Sequence, residues 1–176
     1  MPKKINALRE KLLTCAREIL VSRGYSELTI RAIATECGVV PGTIYNYFPS
    51  KEKLVESVML EDWKARRTML DVKMQEAGSA LEAVRVLAVT LDSFVESYHE
   101  IWEKHPATMN DSSTFRKHHK QLVTQMCGIL QPIMEKYDCM FHPVLPQFLA
   151  EALLVLAADD DKHFENVEPI LRKLLD

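Results

Sequence analysis

Apolar residues recur every three or four positions along almost the whole chain, and no other feature constrains the fold as strongly. The first run consists of Ile5, Leu8, Leu12, Cys15 and Ile19, with charged residues between them. This spacing places apolar side chains on one face of an α-helix. Only 5 of the 176 residues are glycine, which argues against the many tight turns of a β-sandwich or barrel. The sequence therefore predicts an all-α protein.

Helix-start and helix-stop residues divide this pattern into eight or nine helices. The first helix is expected to end at Arg23. Thr29 is a candidate N-cap for a short second helix, which Gly38 ends in a left-handed conformation. Pro41 opens a third, shorter helix, and Ser50 caps a long fourth helix.

Apolar stripes predict the remaining helices. On the fourth helix, the stripe is expected to pass through Leu54, Val58, Ala65, Met69 and Met74. Later stripes occupy residues 81–98, 115–137, 146–158 and 164–174, with a break around Pro106 and residues 108–114.

The longest uninterrupted apolar stretch, Ala152–Ala158, is too short to cross a bilayer. The Met-Pro-Lys-Lys start leads into no apolar signal core. We therefore expect a cytoplasmic protein that does not use a membrane as a partner.

The four cysteines, Cys15, Cys37, Cys127 and Cys139, show no close pairing and no zinc-site spacing. Free cysteine is usually buried and inert, so we expect these side chains to be small buried hydrophobes. Redox sensing is the alternative, and it would need an exposed thiol of low pKa.

Charge is distributed unevenly along the chain. Residues 1–54 hold nine basic and five acidic residues, and the remainder holds thirteen basic and twenty acidic residues. A basic N-terminal segment on an acidic body suggests that one end meets a polyanion. Chance clustering of solvated charges is the other interpretation.

The second and third helices, joined by a glycine-containing turn, match the geometry of a helix-turn-helix. Ala34 is small where the helices cross, and Ile33, Cys37 and Ile44 are apolar where the pair must pack. An ordinary αα-hairpin inside a helical bundle would show the same pattern.

The start of the third helix carries little bulk, which suits entry into a major groove about 12 Å wide. Asn46 can read an adenine edge, and Thr43 can meet a thymine methyl group or a phosphate. Tyr45 and Tyr47 offer hydroxyls to phosphates, and Lys51 sits at a helix N-terminus that attracts anions.

The segment TIRAIATECGVVPGTIYNYFPSKEKL, residues 29–54, resembles the signature of tetracycline-repressor-type (TetR) regulators. The likeness covers about residues 7–55 and departs from the family pattern at Val40, where serine usually caps the recognition helix. The candidate DNA-binding residues are Thr29, Arg31, Pro41, Gly42, Thr43, Tyr45, Asn46, Tyr47 and Lys51.

The resemblance implies a DNA-binding domain over residues 1–50 and a helical regulatory and dimerisation domain over residues 51–176. It implies a homodimer on a palindromic double-stranded operator, released by a small-molecule effector, with the fourth helix as the lever. The candidate dimer residues are Phe148, Leu149, Ala152, Leu153, Leu156, Ile170, Leu171 and Leu174. The alternative is that these stripes face the core of a single chain.

An apolar or aromatic effector with one polar handle would suit several side chains at helical spacing. The candidates are Met59, Trp63, Arg66, Phe94, Tyr98, Trp102, Phe115, His119 and Met126, although such stripes are also typical of a core. His99, His105, His118 and His119 lack metal-site spacing, so we expect no metal and no cofactor.

The sequence contains no glycine-rich phosphate loop and no metal-hydrolase motif, so we do not expect an enzyme. Two functions fit the pattern. The first is a repressor controlled by a small molecule. The second is a DNA-binding protein of the same fold that acts without a ligand or under a protein partner.

Overall fold

The computed structural model describes residues 2–104, 112–139, 142–159, 161 and 163–175. Within these residues every regular element is a helix, which confirms the all-α prediction. In chain order the helices are α1 (Pro2–Arg23), α2 (Ile30–Cys37), α3 (Pro41–Tyr45), α4 (Lys51–Glu76), α5 (Ala80–Glu96), α6 (His99–Lys104), α7 (Ser112–Lys136), α8 (Leu145–Ala157) and α9 (Phe164–Leu175). None of the described helices combines the length and the apolarity that a membrane span requires.

By its contacts the chain divides into two compact units. The first unit runs through Lys64 and also includes Glu100–Lys104. The second unit comprises Ala65–His99 and the described residues from Ser112 onward. The division falls inside α4, later than the end of the recognition motif. A DNA-binding domain that ends at residue 50 therefore stays a prediction, because compactness alone does not define which residues bind DNA.

An apolar cluster forms the core of the first unit. Its fully covered side chains are Leu12, Leu28, Ile33, Ile44 and Leu54. On α1 the covered face is centred on Leu12 and Ala16, so Cys15 is only half-buried. The amphipathic first helix is thus confirmed, with its buried face turned slightly from the predicted one.

Both ends of α2 have the predicted geometry. Thr29 is extended, with φ −118° and ψ 151°, and its side-chain oxygen accepts a hydrogen bond from the Ala32 amide at 3.0 Å. Gly38 is left-handed, with φ 66° and ψ 37°. Its amide and that of Val39 donate to carbonyls in the last turn of α2, at 3.2 and 2.9 Å, in a Schellman motif. The chain therefore leaves α2 in a defined direction.

The predicted stripe on α4 is right at Leu54, Val58 and Met74 and wrong at Ala65 and Met69. Leu54 and Val58 are buried, but Ala65 is exposed and Met69 is 66% exposed. Leu70 is covered instead of Met69, and Met74 is covered as predicted. The buried face changes because the second half of α4 belongs to a different unit and packs against different helices.

The second unit buries the predicted stripe of α5, including Leu81, Val84, Leu87, Ala88, Leu91 and Phe94. The C-terminal end of α7 holds the end of α4, since the Lys136 ammonium donates to the Gln75 carbonyl at 3.0 Å and the Tyr137 hydroxyl donates to the Ala77 carbonyl. Residues 112–114 are already helical in α7, so the predicted break is shorter on that side. Pro106 and residues 108–111 lie outside the described residues.

The left-handed Gly38 yields a stability prediction. A Cβ atom at this position would meet nothing within 4 Å, so Gly38→Ala adds backbone strain without a steric clash. We expect the free energy of unfolding to fall by about 1 to 2 kcal/mol, measured by urea denaturation followed by circular dichroism.

Gly128→Ala is the matched control, because Gly128 lies inside α7 and also has open space around its Cβ position. There alanine should raise the stability by about 0.5 to 1 kcal/mol. Equal effects of the two substitutions would contradict the special conformation of Gly38.

Candidate nucleic-acid interface and regulatory site

The α2–turn–α3 segment presents one side of α3 to solvent. Ile44 is fully covered and Phe48, just after the helix, is almost so. The opposite side carries Pro41, Gly42, Tyr45 and Asn46, all exposed, with Thr43 and Tyr47 half-buried at its edges. The structure therefore brings the predicted recognition residues together on one exposed ridge of the first unit.

Val40 occupies the N-cap position of α3 without acting as a side-chain cap. Its backbone is extended, with φ −83° and ψ 147°, and no side-chain hydrogen bond closes the helix start. Only the Val40 carbonyl contributes, by accepting from the Thr43 amide at 2.9 Å. The side chain is 68% exposed, so it adds little packing in return.

Thr29 and Arg31 mark the other end of the candidate interface. Thr29 is exposed, and its hydroxyl oxygen is engaged as the cap of α2. Arg31 is exposed in the first turn of α2. Both side chains therefore lie at a helix N-terminus, where the amide dipoles favour an anion such as a phosphate.

Lys51 opens α4 and has a partner that sequence reasoning missed. Its ammonium donates to the Tyr25 carbonyl at 2.7 Å and lies 3.6 Å from the centre of the Tyr25 ring. Desolvation by burial lowers the pKa of Lys51 below its usual value. An ammonium carries three N–H donors, so the tie to Tyr25 leaves others that can face a phosphate.

Three further ties around α1 were also missed. Arg17 pairs with the buried Asp62 at 2.8 Å, Arg9 lies 5.6 Å from the centre of the Phe48 ring, and Lys11 donates to the Cys37 carbonyl at 3.0 Å. The charge count indicated that basic residues are abundant on α1. No local sequence pattern identifies contact partners that lie this far from them in the chain.

In the second unit, Arg66 sits in a defined polar setting. Its guanidinium donates to the hydroxyls of Ser93 and Ser97, each at 2.8 Å, and lies 5.7 Å from the centre of the Phe94 ring. Phe94 packs edge-on against Tyr98 at 5.3 Å. Three predicted effector residues, Arg66, Phe94 and Tyr98, thus form one cluster.

The other predicted effector residues do not join this cluster in the described contacts. Met59 and Trp63 are buried in the first unit. His119 contacts Glu151 at 2.8 Å, and Met126 is fully covered. The side chains of Trp102 and Phe115 lie outside the described residues.

The metal prediction concerns His99, His105, His118 and His119. His105 and the side chain of His118 lie outside the described residues. Among the side chains that are described, no group of three or more potential ligands could hold a metal ion.

The predicted dimer residues divide into two sets. Leu149, Leu153 and Leu171 are covered within the single chain, so they form core rather than a surface that a second copy could reach. Phe148 and Ile170 are 56% and 61% exposed. Ala152, Leu156 and Leu174 are half-buried.

Curated transcriptional regulators match part of the chain. UidR, an HTH-type transcriptional regulator of Escherichia coli strain K12, is 28% identical over 92 residues, which are 52% of this chain and 43% of UidR. KstR2, an HTH-type transcriptional repressor of Mycolicibacterium smegmatis, is 36% identical over 64 residues, 35% of this chain and 31% of KstR2. The matched part of the chain spans less than half the length of either relative.

Solved structures match over almost the full chain. A TetR-family transcriptional regulator from Pectobacterium atrosepticum has a TM-score of 0.67 over 99% of this chain and 97% of that one, at 18% identity. FadR from Bacillus subtilis, in complex with stearoyl-CoA, has a TM-score of 0.61 over 95% and 97%, at 17% identity. At these identities the likeness shows a shared fold.

The first unit thus contains a helix-turn-helix, and the described elements of the second unit are also helices. Residues 12–58 match the family described as bacterial regulatory proteins, tetR family. This match covers the helix-turn-helix of the first unit, and the curated relatives that match part of the chain are HTH-type transcriptional regulators.

The uncapped start of α3 yields a second prediction. Val40→Ser places a hydroxyl where it can accept from an amide in the first turn, without removing a buried side chain. We expect a stability gain of about 0.5 to 2 kcal/mol, measured by urea denaturation. Val40→Ala is the control, because it removes the same methyl groups and adds no acceptor. A gain shared by both variants would refute the capping explanation.

Proposed function

We propose that the protein is a homodimeric repressor that binds a palindromic operator and leaves it when a small apolar or aromatic effector binds. The observation that carries the proposal is the exposed ridge of α3, held by the Schellman turn at Gly38. Its side chains are small or end in polar groups, as a recognition helix in the major groove requires.

Gly42 supports close approach of a partner at this ridge. A Cβ atom there would meet nothing within 4 Å, so the packing of the chain itself does not require glycine. We therefore attribute this glycine to a surface that another molecule approaches closely. The backbone there can then approach the duplex, with Tyr45 and Asn46 directed outward from the same short helix.

The proposal gives Asn46 and Lys51 different roles. Asn46→Ala should relax base preference at one operator position, because an amide reads a single base edge. Lys51→Ala should weaken binding to every sequence and reduce the slope of log K against log salt by about 0.9, one phosphate's worth. Both are measured by fluorescence anisotropy with the chain's upstream DNA at several salt concentrations.

Lys53→Ala is the matched control for Lys51. Lys53 lies two residues later on α4 and pairs with Glu56 at 2.6 Å. If Lys51→Ala lowers the unfolding temperature but leaves the salt slope unchanged, Lys51 serves only as the tie to Tyr25. If the unchanged chain binds no sequence preferentially at any salt concentration, the DNA-binding proposal fails.

The homodimer is proposed through α8 and α9. Phe148, Ala152 and Val155 follow one another at helical spacing, which places them on one face of α8. Phe148, Val155 and Ile170 are exposed large apolar side chains, and contiguous exposed apolar surface marks interaction sites. A two-fold dimer would present its recognition helices to half-sites about 34 to 36 Å apart, so two chains should protect two such half-sites in a footprint.

The effector is proposed to contact the Arg66 cluster. The two serine hydroxyls fix the guanidinium against Phe94, and a pre-oriented guanidinium binds carboxylate or phosphate groups through paired hydrogen bonds. The stearoyl-CoA held by FadR combines an apolar chain with anionic groups. We therefore propose an acyl thioester of coenzyme A as one candidate effector class for this chain.

Stearoyl-CoA should release the protein from its operator in an anisotropy titration. Arg66→Ala should raise the stearoyl-CoA concentration required for release about tenfold or more, because a hydrogen bond to a charged group contributes about 1.5 to 3 kcal/mol. Arg67→Ala, the neighbouring arginine, should change it by less than about twofold.

Binding that is specific for the operator but insensitive to stearoyl-CoA and to a panel of aromatic compounds would overturn effector control. The remaining function would be the ligand-independent or partner-controlled regulator.

A further inference from the structure

Cys15 on α1 and Cys37 at the end of α2 meet in the first unit. Both residues line one groove, and the Cys37 side chain raises the pKa of the Cys15 thiol. The Cys37 sulfur also donates to the Lys11 carbonyl at 3.9 Å, one helical turn before Cys15. Both residues are free cysteines. The sequence, in which they lie far apart, gave no sign of this pairing.

Cys15 is the more accessible of the two thiols, because Cys37 is buried, and the pair is held from both sides. Cys15 is half-buried and, with Cys37, lines a surface groove of about 350 Å³ between α1 and α2. On one side the Lys11 ammonium holds the Cys37 carbonyl at 3.0 Å, and on the other Arg23 pairs with Glu36 at 3.3 Å. These ties keep the two sulfurs together at a groove that a small molecule can enter.

Burial, followed by the neighbouring Cys37 side chain and the charges of Glu36 and Glu18, raises the pKa of Cys15 to about 12. The thiolate is therefore scarce at neutral pH, and attack by this thiol on an ordinary electrophile is slow. A scarce thiolate of high pKa is nonetheless a strong nucleophile, and a neighbouring second thiol completes the exchange that the first begins.

We propose that Cys15 and Cys37 form a dithiol modification site, which small disulfides convert into an intramolecular disulfide that weakens DNA binding. The Cys15 thiolate attacks a disulfide RSSR, forming a mixed disulfide and releasing one RS⁻. The Cys37 thiolate then attacks the Cys15 sulfur and releases the second RS⁻. The two protein thiols lose two protons and two electrons, and RSSR is reduced to two RSH.

The effect on DNA rests on the proposed function and follows from the position of Cys37. Cys37 is the last residue of α2, and the Schellman turn that directs α3 begins at the next residue. A disulfide needs a sulfur–sulfur distance of about 2.05 Å and a defined dihedral angle. Bringing the two sulfurs to this distance pulls the end of α2 toward α1 and moves the start of α3.

The chemical test uses the full chain with excess glutathione disulfide as the probe. After denaturation and alkylation, the free thiols should fall from the four of the reduced chain to two. Peptide mapping should find one species that links the peptides of Cys15 and Cys37. Cys127→Ser should lose two thiols in the same way, whereas Cys15→Ser should form no internal disulfide. An unchanged thiol count, or a bond that joins Cys127 or Cys139, would overturn the site.

The regulatory test compares operator binding by the oxidised and the reduced chain. We expect affinity to fall about tenfold on oxidation and to recover with dithiothreitol, in the unchanged chain and in Cys127→Ser but not in Cys15→Ser. A disulfide that forms without a change in affinity would overturn the regulatory part. Reduced protein that binds no DNA would refute the proposed function, and the thiol count would still test the site by itself.

Discussion

The left-handed turn at Gly38 is the constraint on which the arrangement of the first unit depends. α2 has eight residues and α3 has five, and helices this short are not stable by themselves in water. Their positions come from the turn between them and from the side chains that they bury, chiefly Ile33 and Ile44. Because α3 has no side-chain cap, the turn and the buried Ile44 hold it in place. The ridge proposed to read DNA is thus set by backbone geometry a few residues before it.

Ion pairs and hydrogen bonds orient the helices of the first unit, whereas the apolar core holds them together without fixing their orientation. Burial of leucine and isoleucine is non-directional and fixes no single orientation of α1. The Arg17–Asp62 pair is different, since a carboxylate that is only 8% exposed needs its partner in place. Lys51 acts similarly on the Tyr25 carbonyl, at the start of α4. These contacts fix the helices relative to one another within the first unit, and they use the basic residues that the charge count alone would assign to DNA.

Local signals were enough to predict most of the fold. They failed where one helix runs through two units and its neighbours change along its length. Thr29, Gly38 and Pro41 act within four residues of themselves, so their roles could be predicted without the rest of the chain. The stripe on α5 has one partner environment and also matched its prediction. The stripe on α4 matched only in part, because the helix passes from one unit into the other and Met69 is exposed where the sequence placed it inside. Periodicity identifies a helix but does not say which neighbours it meets.

The sequence by itself determined the helical class, the turn, the candidate recognition residues and the missing cap at Val40, because each is a property of a short stretch of chain. Only the tertiary structure decided which distant residues are partners. It joined Lys51 to Tyr25, Arg66 to Ser93 and Ser97, and Cys15 to Cys37. It also separated the covered Leu149 from the exposed Phe148 next to it. The physical reason is that burial and hydrogen bonding depend on which residues folding brings together. The separation of two residues in the sequence does not say how close they lie in the folded chain.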